Sequence, residues 1–346
     1  VEALKKAVDH GIFGYSRADE SYFDAVAAWY QKRHHLTLQP EWMTCTPGIV
    51  FALSIAVRAF TQEGDAVLIQ PPVYHPFSRA ILRNKRTLVE NPLVLKDGHY
   101  EMDLEELEQK VLDEHVKLMI LCNPHNPVGR VWTREELTAL ADICLRHHVY
   151  VISDEIHGDF VWQGHEQTPY ASISEEACLH SMMCTAPSKT FNLAGLVGSY
   201  HIVYNSWWRD RMEKETSLSH YDSMNVLWMH SLMGAYDKGG MQWVDELCEL
   251  LSDNVDYAYD VLTNKVKGVK FAKPEGTYLL YLDCTEWLEE HNMTIDELQR
   301  KGVEYGVVWQ DGRPFHGPNS IRVNLALSHD AVVEAINRLD KYVFNA

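Results

Sequence analysis

Three polar residues of this sequence each follow an apolar, strand-like run, and together they carry an amide, a carboxylate and an amine. The amide belongs to Asn126 in Asn126-Pro127-Val128-Gly129, the carboxylate to Asp154 in Ser153-Asp154-Glu155-Ile156-His157, and the amine to Lys189 in Pro187-Ser188-Lys189-Thr190-Phe191. An amine, a carboxylate and an amide at three strand ends are the groups needed to hold pyridoxal phosphate (PLP) and to support amino-acid chemistry on it.

The elements that would position these residues alternate between strand and helix from about residue 46 to 205. The pattern predicts helices over 49–60, 103–115 and 133–147, and strands over 66–69, 116–122, 149–152, 179–184 and 196–203. Near-continuous apolar strands that alternate with helices indicate an α/β fold with a mostly parallel sheet covered on both faces. Ligands bind beyond the carboxyl ends of such strands, so we expect Asn126, Asp154 and Lys189 to face one crevice.

The order of predicted helices and strands no longer alternates regularly after about residue 206. Helices are predicted over 207–236, 241–266 and 294–305, and strands over 269–271, 277–282, 307–309 and 321–324. We therefore expect a large domain over 15–245 and a smaller α+β domain built from 1–14 and 246–346. The first eight residues have helical spacing without an initiating methionine or an N-cap, so the sequence is expected to be trimmed at its N-terminus.

Composition narrows the functional class. A chain of 346 residues suggests two domains or one large domain with a smaller one beside it. The net charge of −18 argues against a nucleic-acid surface, and neither an apolar run of about 20 residues nor a secretion signal is present. Seven cysteines without a C-x-x-C pair indicate reduced thiols and a cytoplasmic location. Eighteen histidines show no ligand spacing, so no metal site is predicted.

The motifs Asn126-Pro127-x-Gly129, Asp154-Glu155-x-His157 and Ser188-Lys189-Thr190-Phe191-Asn192 resemble those of fold-type I PLP enzymes in the class I/II aminotransferase family. Three longer segments are most similar to the cystathionine β-lyase, or C–S lyase, branch of this family. They are Cys-Asn-Pro-His-Asn-Pro-Val-Gly, Asp-Glu-Ile-His and Pro-Ser-Lys-Thr-Phe-Asn-Leu-Ala-Gly-Leu. The resemblance runs from Tyr15 to Arg322. It implies a large PLP domain with a seven-stranded, mostly parallel sheet, a smaller α+β domain and a homodimer.

The resemblance also assigns roles to individual residues. Lys189 would form the Schiff base with PLP and move the substrate α-proton, for which a lowered pKa is required. Asp154 would pair with the pyridinium nitrogen, whereas its neighbour Glu155 is expected to be structural. The alternatives are a surface lysine and a solvated or helix-capping carboxylate. Asn126 matches the asparagine that bonds the phenolic oxygen of PLP. His157 is either a further contact to that oxygen or a satisfied histidine behind it.

Further positions complete the implied cofactor site. Tyr74 matches the aromatic residue that stacks on the PLP ring, with a core tyrosine as the alternative. The phosphate is expected at the amino end of a helix, where the backbone N–H groups are free, with hydroxyl groups beside it. The residues for this role are Gly48, Ile49, Val50, Thr185 and Ser188.

Two residues are implied to act on the substrate or across a dimer. Arg322 matches the arginine that binds the substrate α-carboxylate as a bidentate fork, and an arginine in an apolar strand requires a partner. Tyr15 matches a tyrosine that the neighbouring subunit donates. The sequence departs from many aminotransferases at Val197, where they carry a phosphate-binding arginine, and at Ala186, where they carry a serine. Both departures favour the lyase branch.

The predicted activity is therefore β-elimination on an L-amino acid with sulfur at Cβ, such as cystathionine or a cysteine S-conjugate, giving a thiol, pyruvate and ammonia. An aminotransferase remains an alternative because it shares every step up to removal of the α-proton. A regulatory protein that uses the PLP fold without turnover is a further alternative, and the intact set of Lys189, Asp154, Asn126 and Arg322 argues against it.

Overall fold

The structure is a computed structural model that describes residues 1–219 and 223–345. Its strands are β1 (Met43–Thr46), β2 (Ala66–Ile69), β3 (Thr87–Glu90), β4 (Val94–Lys96), β5 (His99–Glu101), β6 (Leu118–Cys122), β7 (Tyr150–Asp154), β8 (Ser181–Thr185), β9 (Ser199–Val203), β10 (Leu279–Asp283), β11 (Gln310–Asp311) and β12 (Ser320–Asn324). Its α-helices are α1 (Glu2–His10), α2 (Glu20–Arg33), α3 (Ile49–Phe60), α4 (Pro76–Arg83), α5 (Leu104–Asp113), α6 (Arg134–Arg146), α7 (Glu175–Leu179), α8 (Ser206–Ser217), α9 (Val226–Ala235), α10 (Lys238–Lys265), α11 (Thr285–Glu290), α12 (Ile295–Glu304) and α13 (His329–Arg338).

Seven strands form the main sheet in the order β1-β9-β8-β7-β6-β2-β3. Strand β9 pairs antiparallel with both of its neighbours, and the remaining pairs are parallel. Strands β6, β7 and β8 are buried at every position, as expected for strands covered on both faces. This arrangement confirms the α/β fold with a mostly parallel, seven-stranded sheet.

Helices cover the two faces of this sheet. Successive residues of β7 point to opposite sides, so Val151 belongs to one apolar cluster and Ile152 to another. Helix α3 packs against β7, β8 and β9. It begins and ends at the residues predicted from the sequence, and Thr133 and Glu136 form the predicted capping box at the start of α6.

The C-terminal part contains a separate antiparallel sheet in the order β10-β12-β11. Helices α10 and α13 pack against each other and share an apolar cluster with β10 and β12. This sheet with its helices confirms the smaller α+β part. Helix α1 packs against α9. The division into 15–245 and 1–14 with 246–346 stays a prediction. None of the helices within the described ranges has the length and apolar character that a membrane crossing requires.

A buried ion pair joins the main sheet to the C-terminal part. Arg130 is 3 % exposed and its guanidinium contacts the carboxylates of Glu275 and Glu136. The backbone N–H of Glu275 donates to the carbonyl oxygen of Gly129 at 2.9 Å. Gly129 has a φ of 75°, and an added Cβ atom would lie 2.6 Å from Cβ of Pro274. Only glycine permits the two segments to approach this closely.

The predicted helix over 207–236 is wrong as a single element. The structure has two helices, α8 and α9, and Asn225 caps the second by accepting a hydrogen bond from the N–H of Leu227 at 3.0 Å. Met224 forms a bridge with Ser16 instead of a helical turn, and residues 220–222 of this prediction lie outside the described residues. The strand predicted over 307–309 is also displaced, since the paired residues are Gln310 and Asp311.

Candidate active site

The ends of β6, β7 and β8 and the start of α3 surround one cleft with a volume of about 390 Å³. Asn126 lies in the loop after β6, Asp154 is the last residue of β7, and Lys189 lies in the loop after β8. Because these strands are parallel, their carboxyl ends meet at the same edge of the sheet. All three side chains line the cleft, so the predicted convergence is present in the structure.

Asp154 is buried and pairs in register with Cys122 on one side and Cys184 on the other. One of its carboxylate oxygens accepts a hydrogen bond from the backbone N–H of Ile156 at 3.2 Å. Burial raises the pKa of Asp154 to about 7, although this hydrogen bond and the charge of Lys189 act in the opposite direction. A cation placed against this carboxylate would favour its ionised form.

Lys189 faces the same cleft from the loop that follows β8. Burial lowers the pKa of its amine, and the positive charge of Arg322 lowers it further, whereas Asp154 raises it. A lowered pKa increases the fraction of neutral amine at physiological pH. Only the neutral amine is a nucleophile or a base.

Arg322 reaches the cleft from β12, in the C-terminal part of the chain. Its Nη1 donates to Oδ1 of Asn126 at 2.9 Å and its Nη2 donates to Oε1 of Gln310. The guanidinium carbon lies 4.7 Å from the centre of the Phe315 ring, and Nε is buried without a hydrogen bond within the described residues. Both hydrogen-bond partners are neutral amides. The positive charge is therefore free to bind a carboxylate.

His157 and Tyr74 both line the cleft. Burial lowers the pKa of His157 to about 3, and the charges of Lys189 and Arg322 add to this effect. The imidazole is therefore neutral, and its Nδ1 makes no hydrogen bond with any described residue. The half-buried ring of Tyr74 contacts Phe77 edge to face at a centroid distance of 5.7 Å.

The amino end of α3 opens into the cleft through Gly48, Ile49 and Val50. Among the described residues, no side chain caps this helix, so the backbone N–H groups of Ile49 and Val50 are available to an anion. The N–H of Gly48 donates to the carbonyl oxygen of Thr46 at 2.9 Å, so the prediction that it binds the phosphate is wrong for this N–H. Gly48 has a φ of 94°, which favours glycine. Ser188 also lines the cleft. The Val197 position carries no cation and forms part of the same wall.

Two predicted site residues are not among those that line the cleft. Thr185 is buried at the end of β8, and its Oγ1 accepts a hydrogen bond from the hydroxyl of Tyr30 at 3.1 Å. Tyr15 is fully exposed on the single chain. Its placement in a neighbouring subunit's site stays a prediction. Glu155 accepts hydrogen bonds from the Ser153 hydroxyl and the Tyr170 backbone N–H, as expected for a structural residue.

Several lining residues were not predicted from the sequence, among them His75, Tyr278, Gln310 and Asn324. The ring of Tyr278 meets that of His157 edge to face at a centroid distance of 5.5 Å. Gln310 and Asn324 each stand at the polar end of a short apolar run. That position is the only sequence signal they carry, and it is too common to identify a site.

The donors and acceptors of the cleft fit PLP. A buried carboxylate suits a cationic ring nitrogen, and an uncapped helix start suits a phosphate. Nδ1 of His157 is a buried polar atom without a hydrogen bond in the described structure, and bound PLP could supply one. An amine of lowered pKa suits an aldehyde carbon.

The sequence model of the family "Aminotransferase class I and II" matches residues 1–339. The chain belongs to this family. The cystathionine beta-lyase PatB of Bacillus subtilis (strain 168) is 41 % identical over 98 % of this chain and 87 % of the relative. A PLP-bound putative aminotransferase from Clostridium difficile 630 superposes with a TM-score of 0.93 at 36 % identity, covering 99 % of this chain and 88 % of the other.

A second solved structure is that of the PLP-bound C–S lyase from Staphylococcus hominis. It superposes with a TM-score of 0.91 at 30 % identity and covers 99 % of this chain and 89 % of the other. Both structures therefore share the fold described above along nearly the whole chain.

Proposed function

We propose that this protein is a PLP-dependent C–S β-lyase. It converts L-cystathionine or an L-cysteine S-conjugate to a thiol, pyruvate and ammonia. The observation that carries the proposal is the 41 % identity with the cystathionine beta-lyase PatB along nearly the whole chain. The cleft supports it, because Lys189, Asp154 and Arg322 bring together the amine, the carboxylate and the guanidinium that this reaction requires.

Residues from five parts of the chain would hold the cofactor. The carboxylate of Asp154 would pair with the ring nitrogen, while Asn126 and His157 would face the phenolic oxygen. The backbone N–H groups of Ile49 and Val50 and the hydroxyl of Ser188 would bind the phosphate beside Gly48, with Tyr74 against the ring. Bound PLP withdraws electrons from the substrate Cα, which permits both loss of the α-proton and departure of the β-substituent.

Arg322 and Lys189 then act on the substrate. The guanidinium of Arg322 binds the α-carboxylate through two parallel hydrogen bonds and exchanges a neutral amide partner for an anion. Lys189 accepts the proton from Cα, for which its lowered pKa is suited. The Cβ–S bond breaks, the sulfur leaves as a thiolate that takes up a proton, and hydrolysis of the three-carbon remainder gives pyruvate and ammonia.

The enzyme is further proposed to be a cytoplasmic homodimer. Tyr15 is fully exposed and lies next to Phe13 and Ile12, which are 56 % and 71 % exposed. An exposed apolar segment of this kind is typical of an interface. All seven cysteines are free, which supports a reducing compartment. Sedimentation analysis measures whether the protein is a dimer. If Tyr15 contributes to the site of the neighbouring subunit, the Tyr15→Ala variant will have reduced activity.

The decisive experiment incubates the protein with PLP and L-cystathionine and measures pyruvate, ammonia and free thiol together. We expect the three products in equal amounts from the wild type and none from Lys189→Ala. Conversion of an added keto acid to its amino acid, without thiol release, would instead establish an aminotransferase. A biological effect that survives in Lys189→Ala would indicate the regulatory role.

A further inference from the structure

Asp159 is a buried carboxylate outside the cleft that is bonded to the segment carrying Lys189. Its Oδ2 accepts a hydrogen bond from the hydroxyl of Thr190 at 2.8 Å. The side chain of Asp159 is 8 % exposed, and Thr190 is 1 % exposed. Thr190 is the residue directly after Lys189, so this hydrogen bond acts on the peptide next to the backbone of Lys189.

Helix α2 holds the other oxygen of Asp159 in place. Oδ1 accepts from Nε1 of Trp29 at 3.2 Å, lies 3.0 Å from Nε of Arg33 and 3.2 Å from Nε2 of His34. Burial alone would raise the pKa of Asp159, but the hydrogen bond and charge of His34, the charge of Arg33 and the Thr190 hydroxyl outweigh it and lower the pKa. The carboxylate is therefore ionised at neutral pH and fixed in direction.

The ring of Phe191 packs against aromatic rings of α2 and α10, and the segment around Lys189 makes few hydrogen bonds to other elements. Its backbone is held by local turns, in which the N–H of Phe191 donates to Pro187 and the N–H of Leu193 donates to Ser188, both at 2.9 Å. Within the described structure, Thr190 is the one side chain of residues 186–193 that makes a hydrogen bond to another element. Ring packing at Phe191 permits small tilts of this turn, whereas a hydrogen bond is directional, so the Thr190 hydroxyl fixes how the turn faces the cleft.

We propose that Asp159 is a positioning residue that orients Lys189 through the hydroxyl of Thr190. This inference rests on the proposed function, in which Lys189 carries PLP and moves the substrate proton. A reacting group that is displaced by about 1 Å loses on the order of 100-fold in rate. Loss of one hydrogen bond in a buried turn gives a smaller displacement, and about a tenfold loss in kcat is expected.

The test compares three threonine variants of the full chain. Thr190→Val removes the hydroxyl and keeps the shape, and Thr190→Ser restores the hydroxyl. Thr61→Val is the matched control, because Thr61 is also buried and accepts from Nε of Arg86 at 2.8 Å, at the far end of α3 from the cleft. The readouts are kcat per bound PLP, KM, the melting temperature, and the rate at which PLP-free protein captures added PLP, followed by visible absorbance.

Thr190→Val is expected to lower kcat per bound PLP and the capture rate about tenfold, with KM changed less than threefold. Thr190→Ser should recover both within about threefold. Thr61→Val should lower the melting temperature and leave both rates unchanged. Values within about twofold of the wild type for Thr190→Val would overturn the proposal. Equal losses of kcat and capture rate in Thr61→Val would overturn it as well, because they would show that any buried hydroxyl loss reduces activity through a general loss of rigidity.

An Asp159→Asn variant tests whether Thr190 acts through the carboxylate of Asp159. If the hydroxyl acts through this carboxylate, the losses in Asp159→Asn and Thr190→Val will not add in the double variant, whereas independent effects will add. The capture rate does not depend on which reaction the enzyme performs. A wild type without lyase activity would therefore refute the proposed function alone, and an unchanged capture rate in Thr190→Val would refute the positioning role alone.

Discussion

Asp154→Asn is expected to make the PLP-free protein more stable while it abolishes catalysis. Asp154 is 3 % exposed, and among the described residues the one hydrogen bond that its carboxylate accepts comes from the backbone N–H of Ile156. An asparagine oxygen accepts the same hydrogen bond. The substitution therefore removes a buried charge without changing the shape or this contact.

The expected gain follows from the pKa of Asp154, which burial raises from its ordinary value of 3.8 to about 7. A carboxyl with a raised pKa binds its proton more tightly in the folded chain than in the unfolded chain. Stability is therefore lost as the pH rises from about 4 through about 7, and the loss is complete above that range. Three pH units correspond to about 4 kcal/mol at about 1.4 kcal/mol per unit. This figure is an upper value, and a gain of about 2 to 4 kcal/mol is expected at pH 8.

Urea unfolding of the PLP-free wild type and of Asp154→Asn, at pH values from 5 to 8.5, measures this gain. The gap between the two curves should be smallest at pH 5, where roughly a third of the loss has already occurred, and should widen toward pH 8. Asp142→Asn, an exposed carboxylate on α6, controls for the change in net charge and should show no separation. A variant that is no more stable than the wild type at pH 8, or a gain that is the same at every pH, would refute the reasoning.

Three more predictions concern the substrate, the core and the joint between the two parts. Arg322→Lys keeps the charge but loses the fork, so kcat/KM for L-cystathionine should fall about 10- to 100-fold, mainly through KM, in steady-state assays. Leu53→Ala, fully buried in α3, should lower the free energy of unfolding in urea by about 2 to 5 kcal/mol. Gly129→Ala should cost about 2 to 3 kcal/mol in the same measurement, because its Cβ meets Pro274. Unchanged values would contradict each prediction in turn.

Sequence periodicity predicted the central elements well, because each of β6, β7 and β8 contains at least three consecutive apolar residues. It did not predict β1, whose residues Met43-Thr44-Cys45-Thr46 mix polar and apolar types at the sheet edge. Helix α2 was also missed, since its apolar residues do not keep to one face. The break between α8 and α9 depends on a tertiary contact between Met224 and Ser16. Local patterns do not contain such a contact.

The candidate site was also predicted in part, and the part that was missed depends on contacts between distant segments. Lys189, Asp154 and Asn126 follow strands that are close in sequence order, so their convergence followed from parallel topology alone. Arg322 was matched through the family motif, whereas its amide partner Gln310 comes from a neighbouring strand that the sequence placed over 307–309. The Asp159 contact joins α2 to the loop after β8, across more than 100 residues of chain. Nothing in the sequence around Asp159 indicates that pairing.

The buried pair of Arg130 and Glu275 ties the segment before β10 to the loop between β6 and α6. Removing Arg130 would leave the buried carboxylate of Glu275 without its counter-ion, at a cost of about 3 to 5 kcal/mol. Asn126 lies in the same loop and accepts a hydrogen bond from Arg322 at 2.9 Å. The two contacts therefore hold the guanidinium at the cleft before a substrate arrives. Its loss of conformational entropy occurs during folding, so substrate binding does not have to supply it.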